Sequence, residues 1–255
     1  MTLRGNEPAR ATGGEVETAR RLQHELSRTA DLTHRIRHLA HAIEGRVAFS
    51  TSLGIEDQAV LHAIWESGAA IDVFTLDTGR LFAETIATLA ESERRYGVRI
   101  RVLAPAADDV ETLVGRDGVL GFRNSVEARK ACCHVRKVEP LKRGLAGASG
   151  WITGLRRGQS SGRAEVPFAE WDQDFGLMKL SPIADWPLEQ LEAYVAENDI
   201  PINPLHGKGF PSIGCEPCTR AVRPGEDIRA GRWWWENDWG KECGLHNRSP
   251  IEKAA

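Results

Sequence analysis

Five cysteines are the residues most open to chemistry in this 255-residue chain, and their spacing is uneven. Cys132 and Cys133 are adjacent, and Cys215 and Cys218 form a CxxC roughly eighty residues later. Cys243 stands alone inside KECGLH, residues 241–246. Two pairs brought together by folding would offer four thiolates to one metal centre. The bland alternative is four buried thiols acting as small apolar groups. A redox CxxC is another, but it leaves Cys132 and Cys133 without a role. Tetrahedral zinc sites usually draw both pairs from CxxC-like knuckles, and an adjacent pair suits one small ion poorly. In an iron–sulfur cube the irons are spread apart, so neighbouring cysteines can each bind a different iron. Thiol chemistry alone leans to iron–sulfur and leaves zinc open.

Two stretches could meet an anion: STSLGIED at 50–57 and LDTGR at 76–80, each following an apolar run. A Ser- and Gly-rich turn that opens a helix presents hydroxyls and backbone N–H groups to a phosphate, aided by the helix dipole. The same residues also make an ordinary turn and N-cap, and the first stretch matches neither GxxxxGKS/T nor GxGxxG. Basic groups gather nearby: Arg136 and Lys137, then Arg156, Arg157 and Arg163, then Arg220, Arg223, Arg229 and Arg232. Solvation accounts for most surface arginines. The RRGQS run at 156–160 fits a bidentate clamp on phosphate or sulfate oxygens. The tryptophans at 233–235 read as packing.

Positioning these groups calls for a strand–turn–helix framework. Leu22, Leu26, Leu32, Ile36, Leu39 and Ile43 recur at helical spacing, predicting two helices with a break near Asp31. Apolar runs at 46–49, 71–76, 98–103 and 151–154 predict strands, with helices through Trp65, over 81–96, over 124–146 and over 187–198. Alternation of this kind implies an α/β fold on a parallel twisted sheet with flanking helices. Residues 1–14 are polar and Gly-rich and are expected to be disordered. Residues 15–228 read as one α/β domain, and 229–255 as a mobile C-terminal segment carrying Cys243. Hydrophobic residues make up 41% and charged residues 27%, ordinary for a globular protein. A net charge of −3 argues against a nucleic-acid partner. No apolar run nears the roughly 18 residues of a membrane span, and the N-terminus lacks the apolar core of a secretory signal. A cytoplasmic location, with reduced thiols, is the expectation.

Six motifs in this order resemble one family: FSTSLGIED, LDTGR, KACCHVRKVEPL, WITGLRRGQS, SIGCEPCTRAVRPGEDIRAGRWWWE and KECGLH. The chain is similar to the assimilatory sulfonucleotide reductases, and among them to the iron–sulfur adenylyl-sulfate reductases, over roughly residues 46–247. The resemblance implies an adenine nucleotide α-hydrolase-like fold of the pyrophosphatase-loop type with an extended C-terminal segment. It implies that Ser50, Thr51, Ser52, Gly54 and Asp57 cradle the nucleotide phosphate. Leu76, Asp77, Thr78 and Gly79 would lie against adenosine. Cys132, Cys133, Cys215 and Cys218 match the ligands of one 4Fe-4S cluster, and Lys137 a lysine close to both cluster and substrate. Arg156, Arg157, Gln159 and Arg163 form the sulfate-facing loop, while Arg229 and Arg232 face the phosphosulfate. His246 joins the substrate-binding set, and Cys243 matches the catalytic nucleophile. Two departures stand out: SSGRAE replaces the family's usual Thr-Arg continuation, so the arginine role is assigned to Arg163, and Leu53-Gly54-Ile55 replaces a shorter step in the phosphate loop.

The reaction so implied is reduction of adenylyl sulfate to sulfite and AMP through an S-sulfocysteine on Cys243, within sulfate assimilation and cysteine biosynthesis. Thioredoxin, or glutaredoxin, would supply electrons. With four thiols on a metal, Cys243 has no resolving cysteine in its own chain, so a dithiol must come from outside. Lys241 or the arginine cluster would favour its thiolate. A homo-oligomer is the assembly the resemblance suggests. Rival readings are a reductase for the 3′-phosphorylated nucleotide, an adenylating enzyme of the pyrophosphatase-loop type, and a non-enzymatic metal-binding regulator.

Overall fold

Thr12 opens the first helix, α1 (Gly13–Ser27): its hydroxyl accepts from the Glu15 N–H while the Glu15 carboxylate accepts from the Thr12 N–H. This reciprocal cap satisfies two donors that a helix start leaves open, so Gly13 and Gly14 are helical where disorder is expected from composition. The structure is a computed structural model that describes residues 11–236 and 244–245. α2 (Leu32–Ala42) begins at Asp31, whose carboxylate accepts from the His34 N–H at 2.7 Å. Asp31 thus makes the break that the spacing predicts.

Among the described residues six strands form one sheet in the order β3-β2-β1-β4-β6-β5. They are β1 (Arg46–Thr51), β2 (Asp72–Leu76), β3 (Arg101–Leu103), β4 (Ala148–Ile152), β5 (Ala169–Asp172) and β6 (Leu177–Leu180). Every neighbouring pair is parallel except β5 with β6. The sheet is the parallel one the sequence predicts, with one antiparallel strand, β5, added at its edge. β5 and β6 escape sequence reading because they are short and Lys179 interrupts the apolar pattern. Lys179 is nevertheless 2% exposed, 3.4 Å from Asp172 and over the Trp151 ring at 5.1 Å. The chain runs outward from β1 to β3, then crosses back to place β4 on the other side of β1. That reversal is the switch point at which open α/β sheets bind ligands, outside the carboxyl ends of the strands.

α3 (Ile55–Ser67) and α4 (Ala83–Tyr96) connect the first strands, and both end on a left-handed glycine, Gly68 and Gly97. α3 is buried along most of its length, from Asp57 through Ile64, with α2 and α8 (Leu188–Glu197) packed on it. Its apolar run therefore lacks amphipathic contrast. α5 (Ala107–Asp117), whose buried residue is Leu113, has no counterpart in the sequence reading. α6 (Val126–Cys133) passes through a π-helical turn (His134–Val138) into α7 (Glu139–Leu145), where one continuous helix is expected. Pro140 explains the change: it offers no N–H to the carbonyl of Arg136, and its ring crowds that carbonyl. Among the described residues from 202 to 236 the chain is irregular apart from short 3-10 turns, as composition predicts. Among the described residues no helix is long and apolar enough to cross a membrane.

Candidate active site

The carboxyl end of β1 turns sharply into α3. Leu53 takes a left-handed conformation, φ 61°, and its N–H donates to the Thr51 hydroxyl at 3.0 Å. The backbone N–H and the hydroxyl of Ser52 both donate to Asp57 Oδ2, each at 2.6 Å. Asp57 therefore ties the loop to the first turn of α3, and Gly54 caps that helix with no side chain of its own. The helix start presents its N–H groups and dipole to the space above β1. Burial pushes the Asp57 carboxyl up to about 6; the Glu56 charge adds to this, while hydrogen bonds from Ser52 and Gly154 oppose it. Gly154 lies so close that a Cβ there would sit 2.1 Å from Asp57 Oδ1.

Across this loop an open cleft encloses an empty volume of about 1400 Å³, counting the part open to solvent. Ser50, Thr51, Ser52, Gly54, Asp57, Leu76, Thr78, Gln159 and Arg163 line it. Ser50 is held by the Trp151 indole, whose N–H donates to its hydroxyl at 2.8 Å. Arg163 donates to Gln159 Oε1 at 2.6 Å, and Gln159 donates on to the Gly154 carbonyl at 3.3 Å. Lys137, Arg229 and Arg232 also line it, with Cys215, which senses the Lys137 and Arg232 charges. Arg232 is buried and donates to the Ser212 hydroxyl and the Ile213 carbonyl, both at 3.3 Å, while lying over Trp233 at 4.7 Å. Gly214 is required there, because a Cβ would fall 2.3 Å from Arg232 Nη2.

Two segments carry the four paired cysteines. Cys132 and Cys133 close α6, and Cys215 leads the 3-10 turn Glu216–Cys218. That turn is pinned by Glu216 N–H to the Arg80 carbonyl at 2.9 Å and by Arg123 to the Pro217 carbonyl at 3.2 Å. Cys215 and Thr78 are hydrogen-bonded, Sγ to Oγ1 3.3 Å. Burial pushes the Cys218 thiol up to about 12, reinforced by Cys215 and Cys133, and burial likewise raises Cys132, which also senses Cys215. The two pairs thus face one another electrostatically. For Cys215 burial acts upward too, but the Lys137 charge, the Thr78 hydroxyl and Arg232 outweigh it and hold the thiol below its usual range. None of the four is in a disulfide. Among the described residues no three His, Cys, Asp or Glu side chains are gathered as the ligands of a metal ion.

The cleft brings together twelve of the residues named from sequence as substrate-binding, and four described ones lie off it. Asp77 and Gly79 form a turn in which the Gly79 N–H donates to the Asp77 carboxylate at 2.8 Å. Arg156 is buried in an ion pair with Glu56, 3.1 Å. Arg157 donates to the Val166 carbonyl at 2.9 Å and lies over Phe168 at 5.5 Å. These two arginines brace the loop that carries Gln159 and Arg163. Cys243 and His246 lie outside the described residues. Leu245, two positions after Cys243 in sequence, lines the cleft and packs with the cluster of Phe74, Leu141 and Trp151. Ser212, Ile213, Gly214, Thr153 and His206 also line it without having been singled out. The SIG before the CxxC was the available signal for three of them. Burial lowers the His206 imidazole.

The phosphoadenosine phosphosulfate reductase domain model matches residues 46–221. The chain is 57% identical over 216 residues to an adenosine 5′-phosphosulfate reductase of Agrobacterium fabrum, covering 85% of this chain and 83% of the relative. It is 53% identical over 235 residues to the protein of the same name from Sinorhizobium fredii, covering 92% and 93%. Among solved structures, a phosphoadenylyl-sulfate reductase from Candida auris in a phosphate complex superposes with a TM-score of 0.69 at 21% identity, over 84% of this chain and 98% of that one. That last likeness concerns the fold.

Proposed function

The chain belongs to the sulfonucleotide reductase family, with the adenosine 5′-phosphosulfate reductases, and on that premise we propose that it reduces adenylyl sulfate to sulfite and AMP through Cys243. One observation carries the reading: a single cleft joins the N-terminus of α3, a basic end formed by Lys137, Arg229 and Arg232, and Cys215 of the paired thiols. An adenylyl group ending in a phosphosulfate needs that combination. Ser50, Thr51, Ser52 and Gly54 receive the phosphate, with Asp57 fixing the loop; Leu76 and Thr78 flank the adenosine. Lys137, Arg229, Arg232 and Arg163 neutralise the phosphosulfate oxygens, so that the negative charge on the departing AMP is met as it develops.

The Cys243 thiolate attacks the sulfonate sulfur. A sulfur–sulfur bond forms, the bond from sulfur to the phosphate oxygen breaks, and AMP leaves with that electron pair. The first thiolate of an external dithiol then attacks the Cys243 sulfur and expels sulfite. Its second thiolate displaces Cys243 from the resulting mixed disulfide. The dithiol loses two electrons and becomes a disulfide, and the sulfur of the substrate gains them. Thioredoxin or glutaredoxin has the chemistry of this donor. Cys132, Cys133, Cys215 and Cys218 are a soft, all-thiol donor set from two segments that sense one another's charge. We assign them one 4Fe-4S cluster, which when bound ties α6 to the 215–218 turn and adds fixed charge at the basic end of the cleft.

The test is anaerobic purification with iron and sulfide analysis, followed by mixing with adenylyl sulfate. A brown protein that gains one SO₃ on the peptide containing Cys243 is the expected result. A colourless protein with no adduct would overturn the proposal. A higher kcat/KM for the 3′-phosphorylated nucleotide than for adenylyl sulfate would overturn the choice of substrate.

A further inference from the structure

Outside the cleft, a deeply buried ion pair joins Arg129 to Glu236. Their side chains are 1% and 7% exposed. Arg129 Nε donates to Glu236 Oε1 at 2.8 Å and Nη2 donates to Oε2 at 2.8 Å. The guanidinium also lies over the Trp233 ring at 4.5 Å, and Trp233 lines the cleft. A buried ion pair is a weak source of stability, because desolvation takes back most of the attraction. Its two parallel bonds fix direction as well as distance. What this pair secures is orientation.

Its place in the chain says what is oriented. Arg129 sits one turn before Cys133 on α6, so it belongs to the helix that carries the first cysteine pair. Glu236 ends the WWWE run, and Cys243 follows it in the sequence. On the other side of Cys243, Leu245 is packed against the core beneath the cleft. Both described ends of the stretch around Cys243 are therefore anchored, one by a buried bidentate ion pair and one by an apolar side chain.

We infer that Arg129 and Glu236 are positioning residues for sulfur transfer: their ion pair fixes Glu236, the last described residue before Cys243 in the sequence, with Leu245 as the second anchor. This rests on the assignment of Cys243 as nucleophile. A misplacement of about 1 Å between reacting groups costs on the order of a hundredfold in rate, so an anchor at Glu236 held on the same helix as the thiol pair bears on the chemical step rather than on nucleotide binding.

The experiment uses the full-length protein purified anaerobically. Three quantities are measured: the visible absorption of bound iron, the Kd for AMP, and the single-turnover rate of SO₃ transfer from adenylyl sulfate to the Cys243 peptide. Glu236→Gln removes the carboxylate charge that faces the buried Arg129 guanidinium. The double variant Arg129→Leu, Glu236→Leu removes both charges. Both are expected to form the adduct at least about tenfold more slowly, with iron absorption and AMP affinity within roughly twofold of wild type. Glu236→Asp should recover part of the rate. A double variant that forms adduct at the wild-type rate would overturn the inference, and so would a loss of rate matched by an equal loss of AMP affinity. Absence of any adduct in the wild-type protein overturns the nucleophile assignment and takes this inference with it.

Discussion

Asp57 shows how one side chain shapes the end of the cleft at the start of α3. Its carboxyl is raised from 3.8 to about 6, with burial as the leading cause. A raised acid holds its proton longer in the folded state than in the unfolded one, so it favours folding at low pH and loses that contribution as pH rises through about 6. Between pH 5 and 7 the wild-type protein should lose about 1 kcal/mol of stability relative to Asp57→Asn; equal pH slopes for the two proteins in thermal melts would refute this. Gly154→Ala puts a methyl group against Asp57 Oδ1 and displaces the carboxylate from Ser52. AMP affinity should drop roughly tenfold or more, the loss expected when a charged hydrogen-bond network is disturbed, measured by titration calorimetry on protein that retains its thermal transition. At the other end, Arg232→Lys keeps the charge but loses the planar fork held by Ser212, Ile213 and Trp233. A decrease in kcat of roughly 10- to 100-fold is expected, read in steady-state assays with a dithiol donor.

Among the elements, the break between α6 and α7 carries the most consequence. Sequence periodicity over 124–146 is helical throughout, and only Pro140 marks the π turn that aims Lys137 at the cleft and Arg136 at the Thr78 carbonyl, 2.7 Å away. Pro140→Ala returns a donor to the Arg136 carbonyl and favours a regular helix, whose register would rotate the residues before it. The expected result is a thermal midpoint at or above wild type with kcat/KM lowered about tenfold; unchanged kcat/KM would show that the turn does not aim Lys137. The parallel core of the sheet was legible from strands with β-branched and aromatic runs separated by helices. β5 and β6 were not, because a strand of four residues with a buried lysine looks polar until Asp172 and Trp151 are placed around it. α5 was missed although its apolar positions fall on one face; with Leu113 as its buried residue it adds little to the core.

For the whole molecule, the cysteine count sets the stoichiometry. If four thiols are committed to a metal, one chain without external dithiol should accept a single SO₃ and stop, releasing AMP but no sulfite. Adding thioredoxin or a small dithiol should restart it. Sulfite release without added reductant, measured by a colorimetric assay, would contradict this. The residue types and their order along the chain were enough to place the protein among the sulfonucleotide reductases and to single out most of the polar and basic residues that line the cleft, because chemistry of this kind needs specific side chains at fixed local spacings. Arg156 and Arg157 show the limit of such reading: adjacent arginines look like an anion clamp, yet one is ion-paired with Glu56 and the other bonded to a carbonyl. Which arginines reach the cleft, why glycine is needed at 154 and 214, and which carboxylate faces Arg129 all depend on contacts between residues far apart in sequence. Those contacts leave no periodic trace in the chain, and only the folded packing of strands, turns and helices decides them.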